Sequence, residues 1–253
     1  MKSFGHALRI FIFIFSGLLP LALSAQNITD MKGFKQGLWI ETEGAYTSKG
    51  RYTDNQKDGT WIIYFSDTKM LYKVESYKRG LKDGIFLELS KRSTLVSEQY
   101  FVNGLADGTY RTFSTSGLPL SENNYRLGKL DGIQISYYEN SMDKKSEEAM
   151  YKDGIKDGPS KWYDLQGNLI AEYTYIKGNL EGEQKTFYPG GLIRSVDAFV
   201  NNRNHGSSVE YFENGNVKLT GQYLEGEKDG KWIEYDENGK VLSSVSYSKG
   251  KVK

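Results

Sequence analysis

Proton transfer, nucleophilic attack and metal binding draw mainly on histidine, cysteine and clustered carboxylates, and this chain offers little of the first two. It contains no cysteine and two histidines, which removes disulfides, thiolate nucleophiles and sulfur-ligated metals. His6 falls in an apolar leader, leaving His205 alone to serve general-base, triad or zinc chemistry. Carboxylates are regular instead: Asp58, Asp83, Asp107, Asp131, Asp157 and Asp229, with Glu181 in the same slot, recur about every 24 residues. A calcium ion wants about six or more oxygens, more than one acid per repeat supplies. Each of these acids precedes a glycine, and Asp-Gly is a strong hairpin-turn signal. The reading is therefore turn chemistry, with no catalytic residue, no metal and no cofactor.

The acids belong to a frame, Gly-x-x-x-Gly, whose second glycines are Gly37, Gly59, Gly84, Gly108, Gly132, Gly158, Gly182, Gly206 and Gly230. The first position is glycine except at Asn55 and Asn202, and asparagine is the residue that best tolerates the left-handed backbone after glycine. Between successive frames lie two short runs of strand-forming residues, such as Val209 to Glu213 and Val217 to Tyr223, joined by Asn214-Gly215-Asn216. One repeat is one β-hairpin. The chain is accordingly all-β, an elongated antiparallel hairpin array of about 18 strands, roughly 85 Å long at the usual strand spacing.

Residues 1–25 read as a cleaved signal peptide: Lys2 and Arg9 are the basic end, Ile10 to Leu23 the apolar stretch, and Ala22, Ser24 and Ala25 the small-residue exit. Residues 26–32 follow as a short linker, and 33–253 form the array of about nine repeats. Export to the periplasm or the extracellular space is the expectation. Without the leader the chain carries 31 basic residues, the 33 of the whole less Lys2 and Arg9, against 32 acidic. That balance speaks against a nucleic-acid surface.

Aromatic side chains occupy fixed slots. Three residues before each later frame, and three before Gly250, stand Tyr52, Tyr77, Phe101, Tyr125, Tyr151, Tyr175, Phe199, Tyr223 and Tyr247. Two residues after the second glycine come Trp39, Trp61, Phe86, Tyr110 and Trp232; five after it come Tyr64, Phe113, Tyr137, Tyr163, Phe187, Tyr211 and Tyr235. Two and five differ by an odd number, so a flat strand sends these rings to opposite faces. Either a bulge near the glycine or a sheet with aromatics on both faces resolves this. Stacked hairpins can bury one another's rings, so each ring alone reads as packing. As an exposed row, Trp39, Trp61, Phe86, Tyr110 and Trp232 are the candidate binding aromatics. Ser90 to Thr94, which lacks a turn glycine, and the longer charged stretch Glu139 to Met150 depart from the pattern; the second is the expected place for an added contact. Lys249, Lys251 and Lys253 suit a protected sheet edge.

A glycine-framed hairpin with Tyr or Phe before the frame and Trp or Tyr after it resembles the MORN repeat, in particular the bacterial variant of proteins labelled YwqK-type antitoxins. Tyr125-Arg-Leu-Gly-Lys-Leu-Asp-Gly132 and Tyr223-Leu-Glu-Gly-Glu-Lys-Asp-Gly-Lys-Trp232 carry the likeness, which extends over about residues 33 to 250. The resemblance implies an elongated sheet acting as a scaffold or docking surface, with no shared catalytic residue, and phospholipid contact for some eukaryotic members. The function expected is an exported, non-catalytic scaffold for a protein partner. The alternatives are a module for carbohydrate or for a phospholipid surface, and an antitoxin-like or immunity-like partner protein. An outer-membrane barrel is disfavoured because charges on both strand faces leave no lipid-facing apolar band.

Overall fold

A computed structural model describes residues 26–253, and the leader read over residues 1–25 lies outside them. The described residues form one antiparallel meander in which each long strand pairs with its neighbours in the chain and no connection crosses the sheet. Eighteen of the 24 strands are six to ten residues long, in agreement with the hairpin count; the other six have two residues. Four of those short strands are halves of frames, as at Leu81–Lys82 and Leu105–Ala106. Ile28–Thr29, in the stretch expected as a linker, pairs with Gln36 and Lys35. Asn27 reinforces it, its side chain both accepting from the amide of Ile40 and donating to its carbonyl.

The hairpin turn does not fall on Asp-Gly. Positive φ occurs at the residue before the first frame position and at that position itself: Arg79 (50°) with Gly80 (77°), Leu127 (49°) with Gly128 (81°), Asn201 (49°) with Asn202 (65°). Two consecutive left-handed residues make a type I′ turn, whose twist matches that of the strands it joins. The second glycine sits instead at a bulge. Lys49 pairs with Ile62 and Arg51 with Asp58, so Gly50 alone faces the three residues from Gly59 to Trp61. The φ of these glycines is positive throughout, from 68° at Gly230 to 119° at Gly158.

The aspartates reach further than a local turn. Asp58 accepts from the amide of Arg79, Asp83 from Asn103 and Asp107 from Leu127, each about one repeat downstream. Beside them runs a backbone ladder: the amide of Gly80 donates to the carbonyl of Lys57, Gly104 to Lys82, Gly128 to Ala106 and so on to Gly250 and Lys228, at 2.7–2.9 Å. Asn55 and Asn202 keep the same bond at 3.2 Å. They also accept, through their side-chain oxygens, from the amides of Lys35 and Leu180. The turns are thus bonded to one another in a stack.

The bulge precedes the ring two residues after the glycine and leaves the next three residues in regular alternation. The two ring series therefore lie on opposite faces. No second layer covers the sheet: among the described residues the buried apolar side chains are Trp61, Phe65, Ala149 and Trp232.

The turn geometry is directly testable at Leu127, a branched side chain held at φ 49° and 67% exposed. Leu127→Asn is expected to raise the unfolding free energy by about 0.5–1 kcal/mol, because asparagine visits this region at lower cost than leucine. Urea denaturation measures it, and an unchanged or lower midpoint would argue against the I′ assignment.

Candidate functional site

The slot two residues after the second glycine runs along one face as Trp39, Trp61, Phe86, Tyr110, Gln134, Ser160, Gln184, Ser208 and Trp232. Four of its occupants share a task. The indole of Trp61 donates to the carbonyl of Arg51 and that of Trp232 to Gln222. The amides of Gln134 and Gln184 donate to Asn124 and Thr174. Each acceptor is the residue just before the conserved-phase tyrosine of the preceding strand, beside the bulge where regular pairing lapses. A buried carbonyl there needs a donor. Ser160 is too short to reach it, and its buried hydroxyl has no partner.

Lysine completes the arrangement where tryptophan or phenylalanine follows. The ammonium of Lys35 lies 4.7 Å from the Trp39 ring and 4.8 Å from Tyr52. Lys57 is 4.4 Å from Trp61 and 5.0 Å from Tyr77, and Lys228 is 4.2 Å from Trp232 and 5.3 Å from Tyr247. Lys82 sits between Phe86 and Phe101 in the same way. Each such contact is worth about 0.5–2 kcal/mol. Frames centred on Ala106, Leu130, Leu180 and Asn204 are followed by Tyr110, Gln134, Gln184 and Ser208 instead. The frame centred on Lys156 keeps the lysine although Ser160 follows, and there the ammonium lies 5.4 Å from the Trp162 ring and 5.3 Å from Tyr175.

The five candidate binding aromatics therefore divide. Trp61 is 0% and Trp232 4% exposed, so neither indole is a surface for a partner. Each fills a hole made by a glycine outside the frame: a Cβ on Gly50 would lie 2.2 Å from Trp61, and one on Gly221 2.2 Å from Trp232. Trp39, Phe86 and Tyr110 are half-buried, packed edge-on against Tyr52, Tyr77 and Tyr125 respectively. Trp232 stands apart from the other four, at the far end of the array. The nine frame glycines, expected at the turn, all have positive φ, and the irregular pairing lies at eight of them, while Gly37 sits in regular pairing. Among the described residues no group of three or more His, Cys, Asp or Glu is placed to hold a metal ion.

Three features of the surface were not legible from the repeat. On the opposite face, the strand register aligns Glu98, Arg111 and Glu122, then Glu148, Lys161, Glu172 and Lys185, in one row across the sheet. Arg111 bridges Glu98 at 2.7 Å and Glu122 at 2.8 Å. Along the turn edge, Leu81, Leu105, Leu127, Ile155 and Ile176 project as exposed apolar side chains. At the N-terminal end of the tryptophan face a groove of about 900 Å³ opens over the first two hairpins. In it the Tyr52 hydroxyl donates to Glu41 at 3.2 Å. Burial, with the Glu41 charge behind it, raises that phenol's pKa above its ordinary value. The second half of the charged stretch expected as an added contact is sheet, since Lys145–Lys152 is a strand paired on both sides.

These hairpins define a repeat protein whose units share one backbone geometry. The family model described as the MORN repeat variant matches residues 156–177, 204–225 and 228–249, and the chain carries MORN repeats of this type there. Each match opens on a frame centre, Lys156, Asn204 or Lys228, and closes on the residue that begins the next turn. No curated protein matches the chain.

The tryptophan holes yield a sharp expectation. Gly221→Ala should cost about 3 kcal/mol by overpacking and Trp232→Ala about 3–5 kcal/mol by cavity formation. In the double variant the clash has no partner, so the two costs should fall short of additivity by more than about 1 kcal/mol. Additive costs in a denaturant double-mutant cycle would show that the two residues do not share a site.

Proposed function

We propose that this protein is an exported, non-catalytic scaffold that holds a partner protein against the turn edge of its sheet. MORN repeats are commonly interaction repeats, and the observation that carries the reading is the row of exposed Leu81, Leu105, Leu127, Ile155 and Ile176. These side chains sit at successive turns that are tied together by backbone bonds, so they present apolar area on a rigid spacing. Polar and charged residues flank them, as Lys129 and Arg126 do beside Leu127, in the manner of an interface with a polar rim. Of the aromatic row, Trp61 and Trp232 are buried, while Trp39, Phe86 and Tyr110 keep part of their surface open. Placement outside the cytoplasm rests on the leader pattern of residues 1–25. No helix among the described residues is long and apolar enough to cross a membrane.

Capture from a cell-envelope extract on immobilised residues 26–253, compared with the triple variant Leu105→Ser, Leu127→Ser and Ile155→Ser, tests this. The expected result is one protein retained by the parent and lost from the variant, with unchanged thermal melting. Equal retention by both, or recovery of anionic vesicles in place of a protein, would overturn the reading.

A further inference from the structure

The first hairpin breaks the pattern of the others, and the break builds the groove. Strands Lys35–Glu43 and Tyr46–Thr53 pair without a register shift from Gly37 and Tyr52 to Glu43 and Tyr46. Their connection is the two-residue Gly44–Ala45, whereas later hairpins shift register by one residue as they enter a longer loop. With no bulge to turn it over, Tyr46 remains on the tryptophan face. It stacks on Tyr72 at 4.6 Å and 18°, against the side of Phe65. Tyr46 is the exposed member of this cluster.

The groove's lysines are all paired, and one lining carboxylate, Glu43, has no ion-pair partner among the described residues. The three lysines are each held by a glutamate, Lys35 by Glu41, Lys57 by Glu75 at 3.8 Å and Lys73 by Glu88 at 3.3 Å. No lysine is left over to select an anion. The strand on its floor, Tyr46–Thr53, is already paired on both sides, by Lys35–Glu43 and Gln56–Phe65. A peptide could not add to this strand, and the outer edge of Lys35–Glu43 is taken as far as Ile40 by Asn27 and Ile28–Thr29, leaving only about three residues for pairing. What remains is an aromatic platform beside hydroxyls, the lysine-paired Glu41 and the unpaired Glu43, both able to accept hydrogen bonds, in a volume within the roughly 300–1,000 Å³ of small-molecule sites.

We propose that this groove binds a neutral oligosaccharide, with one sugar face laid on Tyr46 and its hydroxyls donating to Glu41 and Ser48. A sugar ring offers apolar C–H bonds on its face and hydroxyls on its edge, matching a ring with carboxylates around it; hydrogen bonds to charged oxygens are the stronger kind. The site is separate from the turn edge, so substitutions at Leu105, Leu127 and Ile155 leave it intact.

Titration of residues 26–253 with cello-, xylo-, malto- and chito-oligosaccharides, followed by tryptophan fluorescence and calorimetry, tests the proposal. Binding to one class is expected, weakened at least about tenfold by Tyr46→Ala, equivalent to about 1.4 kcal/mol. Tyr46→Phe, which keeps the ring, should retain it, and Tyr235→Ala at the far end should not affect it. The proposal is overturned if none of the four classes binds, or if Tyr46→Ala binds as the parent does while its melting is unchanged.

Discussion

The amide of the first residue in each frame donates to the carbonyl at the centre of the frame before it, and the sheet is organised around keeping that bond in place. A single antiparallel layer has no opposing layer to lock it, and an isolated hairpin is marginal in water. Here the turns are joined by backbone bonds at 2.7–2.9 Å from Gly80 to Gly250, asparagine repeats aside. The ladder requires two successive left-handed residues at every turn, which is why glycine or asparagine holds the second of them. The aspartate beside the second glycine adds a side-chain bond to the same junction. Where glycine is replaced, Asn55 and Asn202 return a side-chain bond to the preceding frame.

Holding the turns in register has a consequence one strand away. The frame contains more residues than the strand it faces, and the excess is taken up as a bulge at the second glycine. The carbonyl beside that bulge is served by tryptophan in two repeats and by glutamine in two others, side chains of very different size that place an N–H in one location. Tryptophan brings a large ring as well, and the ring dictates both a glycine opposite it and a lysine over it. A substitution at Gly50 or Gly221 is thus felt through an indole rather than through the backbone of the glycine itself.

Much of this architecture was legible in the sequence because every repeat must spend its glycines and aromatics in the same way. Period, strand number and antiparallel order follow from spacing alone. The assignment of the turn did not, since Asp-Gly is the stronger turn pair by composition, whereas Arg79-Gly80 and Leu127-Gly128 place ordinary side chains in the left-handed region. The tie to the next turn settles the matter, and it spans a whole repeat. Trp61 and Trp232 looked available to a partner because the holes that receive them lie on the preceding strand, at Gly50 and Gly221. The charge row through Arg111 exists only once the register is known. The groove under Tyr46 depends on a connection too short to carry a bulge, a departure that the regular frame obscures.

Native-state hydrogen exchange of the frame amides tests the central claim most directly. If the ladder ties the turns together, the amides of Gly80, Gly104, Gly128, Gly154 and Gly178 should exchange slowly and as one set. Their opening free energy should approach that of global unfolding, although each lies in a solvent-exposed turn. Exchange of these amides at the rate of an unprotected loop, with the strand centres still protected, would contradict it.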